Sequence, residues 1–167
     1  MIFSKLFARK PDAAQRLYGA IVASARQEKF YAEMDVPDTL DGRFDMIVLH
    51  VFLVIDRLRG TLNPMSQSLT DVFFNDLDRS LREMGVGDLS VAKKIRPMAE
   101  AFAGRLKAYT AAIEQGDQTM VETLQRNVYA GAPNPKAKTL ATWLKDAKAM
   151  LAANPTETIL NGALPLP

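Results

Sequence analysis

His50 is the single histidine in a chain that holds no cysteine. Histidine titrates nearest to neutral pH, so it is the first candidate for carrying a proton. Arg43 and Arg57 stand one heptad to either side, on one face of a helix. Two cations there would disfavour imidazolium and leave a neutral ring. A Ser-His-Asp triad would have to use His50, yet the chain has no nucleophile-elbow motif. A histidine hydrogen-bonded inside a helical bundle accounts for the same residues without chemistry, since buried polar groups are normally paired. The residues favour that reading.

The carboxylates Asp71, Asp76 and Asp78 invite a metal. A di-iron bundle takes a Glu-x-x-His motif from each of two helices, which one histidine cannot supply. The calcium-loop pattern is also missing. Without cysteine there are no disulfides, thiolate nucleophiles or cysteine-based metal sites. These residues read as a solvated helix face with local ion pairs, Asp76 lying nearest the apolar edge. No catalytic residue, metal or cofactor is expected. Gly85 and Gly87 precede a helix and could turn backbone amides toward an anion. Their spacing is not that of a dinucleotide or phosphate loop, and Asp88 would repel phosphate. They read instead as a turn. Gly85 closes a helix in the left-handed conformation, and Asp88 or Ser90 caps the next.

Helical periodicity organises the rest. A first helix is expected over about Asp12 to Tyr31, with Leu17, Ile21 and Ala25 on one side. Pro37 and Asp38 mark a loop. A second helix, from about Asp41 or Gly42 to Gly60, is apolar almost all round, as a central buried helix would be. Asn63-Pro64 breaks the chain. A third helix spans about Met65 to Met84, with Asp78 and Arg82 spaced for an i,i+4 pair. The fourth carries the stripe Val91, Ile95, Met98, Phe102, Leu106, Tyr109 and Ile113. Pro97 inside it predicts a kink or a break. Gly116 ends it, and Asp117 is expected to cap a fifth helix running to about Tyr129. Gly131-Ala132-Pro133-Asn134-Pro135 reads as a linker. An amphipathic helix over Lys136 to Ala153 follows and ends at Asn154-Pro155, and the tail from Asn161 to Pro167 reads as irregular.

The expectation is one all-α domain over 1–167, an irregular multi-helix bundle with a core of about 12–130 and an added C-terminal amphipathic helix of about 136–153. The 167 residues suit one core. A net charge of +2 is too small to argue for nucleic acid or an anionic surface. No apolar run reaches the length of a membrane span. Ile2, Phe3, Leu6 and Phe7, interleaved with Lys5 and Arg9, read as a segment that docks on its own domain or is disordered, ahead of one that lies in a membrane interface.

Several short motifs stand in a distinctive order. They include Val36-Pro37-Asp38-Thr39, Asp41-Gly42-Arg43-Phe44-Asp45, Leu49-His50 and Asp76-Leu77-Asp78. They continue with Leu81-Arg82-Glu83-Met84-Gly85-Val86-Gly87-Asp88-Leu89, Gly104-Arg105, Tyr109 and Arg126-Asn127-Tyr129. Over roughly Tyr18 to Tyr129 the chain resembles the ubiquinol–cytochrome c chaperone family, whose members assist assembly of the cytochrome bc1 complex. The resemblance implies a helical chaperone without enzymatic activity and offers no catalytic residues to carry over. It implies cytochrome b or another bc1 subunit as client, a small helper protein, and contact with the ribosome. The chain looks like a bacterial member, placed in the cytoplasm and peripheral at the inner membrane. Polar residues exceed what simple turns require around Val36 to Phe44 and at the Arg82 to Arg96 corner. Asp38, Asp41, Arg43, Arg82, Asp88, Lys93 and Arg96 are therefore the expected partner contacts. Two other readings are a helical adaptor or translation-coupled regulator with a different client, and a small-molecule enzyme with an inter-helix pocket. That pocket would bring together His50, Arg43 and carboxylates.

Overall fold

The structure is a computed structural model that describes residues 12–61 and 63–167. The apolar and basic N-terminal segment of residues 1–10 lies outside the described residues. Eight helices, and no strands, are found among the described residues: α1 Ala13–Ala25, α2 Glu28–Ala32, α3 Leu40–Leu58, α4 Met65–Glu83, α5 Asp88–Gln115, α6 Asp117–Asn127, α7 Lys136–Ala153 and α8 Thr156–Leu160. The chain is an all-α multi-helix bundle, as its periodicity predicts.

α1 opens on a capping box, in which Asp12 accepts from the Gln15 amide while Gln15 accepts from the Asp12 amide. The single helix expected over Asp12 to Tyr31 is two helices. Gln27 takes an extended backbone and starts α2. Continued straight, the stripe of Leu17, Ile21 and Ala25 would leave Phe30 to one side. The break turns Phe30 fully inward.

α3 is the centre. Thr39 accepts from the Gly42 amide at its start. Met46, Val48, Leu49, Val51, Phe52, Leu53 and Val54 are all buried, because α1, α4, α5 and α7 pack around it. α4 ends at Gly85, whose φ of 85° is left-handed as expected. The Val86 amide donates to the Leu81 carbonyl and the Gly85 amide to that of Arg82, the double closure of a Schellman turn.

α5 corrects one expectation and narrows another. Of the kink or break expected at Pro97 the break is excluded, since the helix is continuous through that residue. Pro97 and Lys93 both face solvent, so the carbonyl that loses its amide partner is on the wet side. Neither Asp88 nor Ser90 caps the helix: Gly87 is the N-cap without a side-chain bond, and Asp88 turns to Arg82 instead. At the next junction Gly116 is the N-cap, Asp117 is the first helical residue, and Asp117 reaches across to Lys145 at 3.0 Å.

The tail from Asn161 to Pro167 is irregular, as expected, but a short helix not read from the sequence, α8, precedes it. α8 buries Ile159 completely against the core, and its end lies on α1 through Arg16, which donates to the Asn161 carbonyl at 3.3 Å. Gly162 has φ 87°, and a Cβ there would lie 2.8 Å from the Arg16 Cβ, so only glycine lets the strap pass so close.

Candidate partner-binding surfaces

His50 is fully buried. Its Nδ1 donates to the Met46 carbonyl at 2.8 Å, which leaves Nε2 to accept from the Ser24 hydroxyl at 3.1 Å. The ring packs between Phe30 and Trp143, with centroids 5.5 and 5.0 Å away. Burial pulls its pKa down to about 4. The arginines expected beside it are elsewhere. Arg43 is exposed and pairs with Asp38, while Arg57 donates to the Leu151 and Asn154 carbonyls at the end of α7. The ring is neutral because it is dry, with Lys29 adding a smaller push. The constellation required for an inter-helix enzyme pocket does not come together.

The acidic residues of α4 are likewise separate. Asp76 accepts from Tyr18 at 2.9 Å, Asp71 from Gln67, and Asp78 from Arg82. Among the described residues no group of His, Asp and Glu is arranged to hold a metal ion.

The expected contact residues fall at two places. Asp38, Asp41 and Arg43 stand at the start of α3, with Asp38 and Arg43 paired at 2.7 Å. Arg43 holds the Asp38 carboxyl below its usual range through that hydrogen bond. Arg82, Asp88, Lys93 and Arg96 stand on the α4–α5 hairpin. Arg82 pairs with Asp78 at 2.7 Å and with Asp88, and Arg96 with Glu100 at 3.4 Å. Lys93 is exposed.

These two places share one end of the bundle. α3 and α5 run in the same sense, Asp45 facing Arg105 and Phe52 facing Tyr109, and α4 runs back alongside. Leu40 lies five residues before Asp45, about 7.5 Å along the axis, whereas Leu89 lies sixteen before Arg105, about 24 Å. The hairpin therefore projects past α3. At this end large apolar side chains stand in water: Leu40 at the start of α3 is 68% exposed, and Met84 and Leu89 on the hairpin are 55% and 89% exposed. Sequence reasoning missed them. Their signal was position, since Leu40 and Leu89 open their helices before the inward stripe begins.

A second feature was also missed. Asp45, in the most apolar stretch, is 2.7 Å from Arg105. Burial outweighs the guanidinium and lifts the carboxyl to about 7. Arg105 also stacks over Phe44, 5.5 Å from its centroid. At the other end of the molecule, a groove of about 480 Å³ opens between the end of α5, α6 and α7.

The profile of the family described as ubiquinol-cytochrome C chaperone matches residues 32–166. The chain belongs to that family. The match runs through α7 and α8, past the Tyr129 boundary of the motifs that first suggested the ubiquinol-cytochrome C chaperones. The crystal structure of the Cbp3 homolog from Brucella abortus is similar at 37% identity and TM-score 0.81, covering 92% of this chain and 88% of that one. The ubiquinol-cytochrome-c reductase complex assembly factor 1 of Xenopus laevis is 25% identical over 119 residues, 70% of this chain and 60% of its own. The mitochondrial protein CBP3 of Saccharomyces cerevisiae is 26% identical over 111 residues, 63% of this chain and 33% of its own. The chain thus matches 60% and 33% of the length of these two curated relatives. No described helix is long and apolar enough to cross a membrane.

Proposed function

We propose that this chain is an assembly chaperone for ubiquinol–cytochrome c reductase that works by holding a subunit, with no bond made or broken. The observation that carries this reading is the family match over 32–166 on a fold shared with the Brucella abortus Cbp3 homolog. Cytochrome b is the client we favour. A membrane subunit awaiting assembly exposes apolar helices, and an apolar surface with a polar rim suits such a segment. The hairpin end supports that role. Leu40, Met84 and Leu89 supply apolar contact, and Asp38, Asp41, Arg43, Arg82, Asp88, Lys93 and Arg96 form the rim. A small helper protein and the ribosome belong to the same proposal, as does work at the cytoplasmic face of the inner membrane. The greater identity to the Brucella abortus protein supports a bacterial member.

Deleting the gene and measuring b-type and c1-type haem spectra in membranes tests the reading. Loss of both signals is expected, with rescue by the wild-type chain. Rescue should fail with Leu40→Glu plus Leu89→Glu, and with Arg43→Glu plus Arg82→Glu, while circular dichroism shows both variants folded. Normal haem signals in the deletion strain would overturn the assembly role. Full rescue by both folded variants would remove this surface from it. Loss of another complex with bc1 intact would point to an adaptor with a different client.

A further inference from the structure

The groove between the end of α5, α6 and α7 lies away from the hairpin and has no part in the proposal above. Its floor is apolar: Ile113, Met120, Val121, Ala141 and Leu144. Its rim carries three amines, Lys138, Lys145 and Lys148, against one carboxylate, Asp117. Lys148 is engaged, 2.6 Å from Asp56. Lys145 is 3.0 Å from Asp117, but both are exposed, so that pair is weak and exchangeable. Lys138 has no ion-pair partner among the described residues. The lining therefore joins an apolar bed to a cationic edge.

Size selects the occupant. The volume of about 480 Å³ lies in the range of roughly 300–1,000 Å³ typical of small-molecule sites. A single flexible acyl chain can lie along the apolar floor with its head at the cationic edge. We propose that this groove binds a single-chain anionic amphiphile, of the fatty acid or lysophospholipid class. Its chain lies on Met120, Val121, Ala141 and Leu144, and its anionic head meets Lys138 and Lys145 in place of Asp117. Charge complementarity sets the orientation, and burial of methylenes supplies most of the affinity.

The full-length chain is titrated by calorimetry, below the critical micelle concentration, with sodium myristate, myristyl alcohol and myristoyl lysophosphatidylglycerol. One molecule per chain is expected, with the alcohol about tenfold weaker than either anion because it lacks the charge-assisted contact. Myristate alone binding assigns a free fatty acid. Both anions binding assigns the class and leaves a membrane source open to it. Lys138→Gln plus Lys145→Gln should weaken both anions about tenfold without changing the alcohol. Ala141→Phe should fill the floor and abolish all binding, with an unchanged urea midpoint reporting an intact fold. Absence of saturable binding, equal affinity for alcohol and anion, or indifference to both variants would overturn the proposal. So would binding to phosphatidylglycerol vesicles alone, or tighter binding of an acidic amphipathic peptide at this face.

Discussion

Asp45 of α3 and Arg105 of α5 meet 2.7 Å apart beneath the bundle surface, the carboxylate side chain 6% exposed and the guanidinium 22%. The contact sets the register of the two helices at the point where the hairpin leaves the core. Arg105→Met should destabilise the fold by up to about 3 kcal/mol at neutral pH, because the buried Asp45 carboxyl loses its partner and must take up a proton. Asp45→Leu combined with Arg105→Met should recover most of that loss, since an apolar pair replaces the ions. Urea denaturation of the two single variants and the double variant measures both effects. Simple additivity of the single losses would show that the pair does not couple.

Asp45 and His50 tilt the pH dependence of stability in opposite directions. The Asp45 carboxyl binds its proton more tightly when folded, at about 7, than when unfolded. Its stabilising share is full below about pH 4 and is lost as pH rises through about 7. The His50 ring binds its proton less tightly when folded, at about 4 against 6.5. Its share is full above about pH 6.5 and is lost as pH falls through about 4. Relative to the parent, Asp45→Asn should therefore gain stability as pH is raised, and His50→Gln as pH is lowered. Denaturation midpoints across that interval check both. Variant and parent curves that stay parallel would show that neither group is linked to folding.

Two glycines within the family-bearing motifs have opposite tolerances. A Cβ on Gly42 would stand 1.9 Å from the Pro37 carbonyl oxygen, a clash with backbone. Gly42→Ala should cost more than about 2 kcal/mol and disturb the Pro37 to Thr39 loop. Gly104, inside α5, has nothing within 4 Å of its added methyl. Gly104→Ala should stabilise by about 0.5–1 kcal/mol through helix propensity and a less free unfolded chain. Thermal melts of the two variants should move apart. Equal shifts would contradict the packing around Gly42.

The packing of α8 is testable in the same way. Ile159 is fully buried on a five-residue helix. Ile159→Ala should cost about 2–4 kcal/mol, as a core truncation does. A side chain outside the core would predict almost no change. Urea midpoints distinguish the two.

Long periodic segments were the most legible part of the chain. α7 runs from Lys136 to Ala153 as its apolar spacing predicts, and α3 is as central as its almost all-round hydrophobicity implies. What the pattern did not show was tertiary. Periodicity cannot say that Phe30 must swing inward, and so it ran α1 into α2. Proline rules treat Pro97 as a breaker because they do not see that its turn faces water. The charged residues expected to contact a partner are exposed, but charge alone did not reveal the leucines and methionine beside them. The Asp45–Arg105 pair was hidden for another reason. Its partners lie sixty residues apart, and each alone looks like an interruption of an apolar face.

Trp143 is the one tryptophan of the chain, and its ring sits 4.8 Å from Phe30 and 5.0 Å from His50. Intrinsic fluorescence therefore watches a single seam, where α7 seats on α2 and α3, far from the projecting hairpin. Emission should report whether that seam is shut while staying nearly silent to whatever lands on Leu40, Met84 or Leu89. The molecule carries its own internal lamp, and its beam points away from the face where a client would dock.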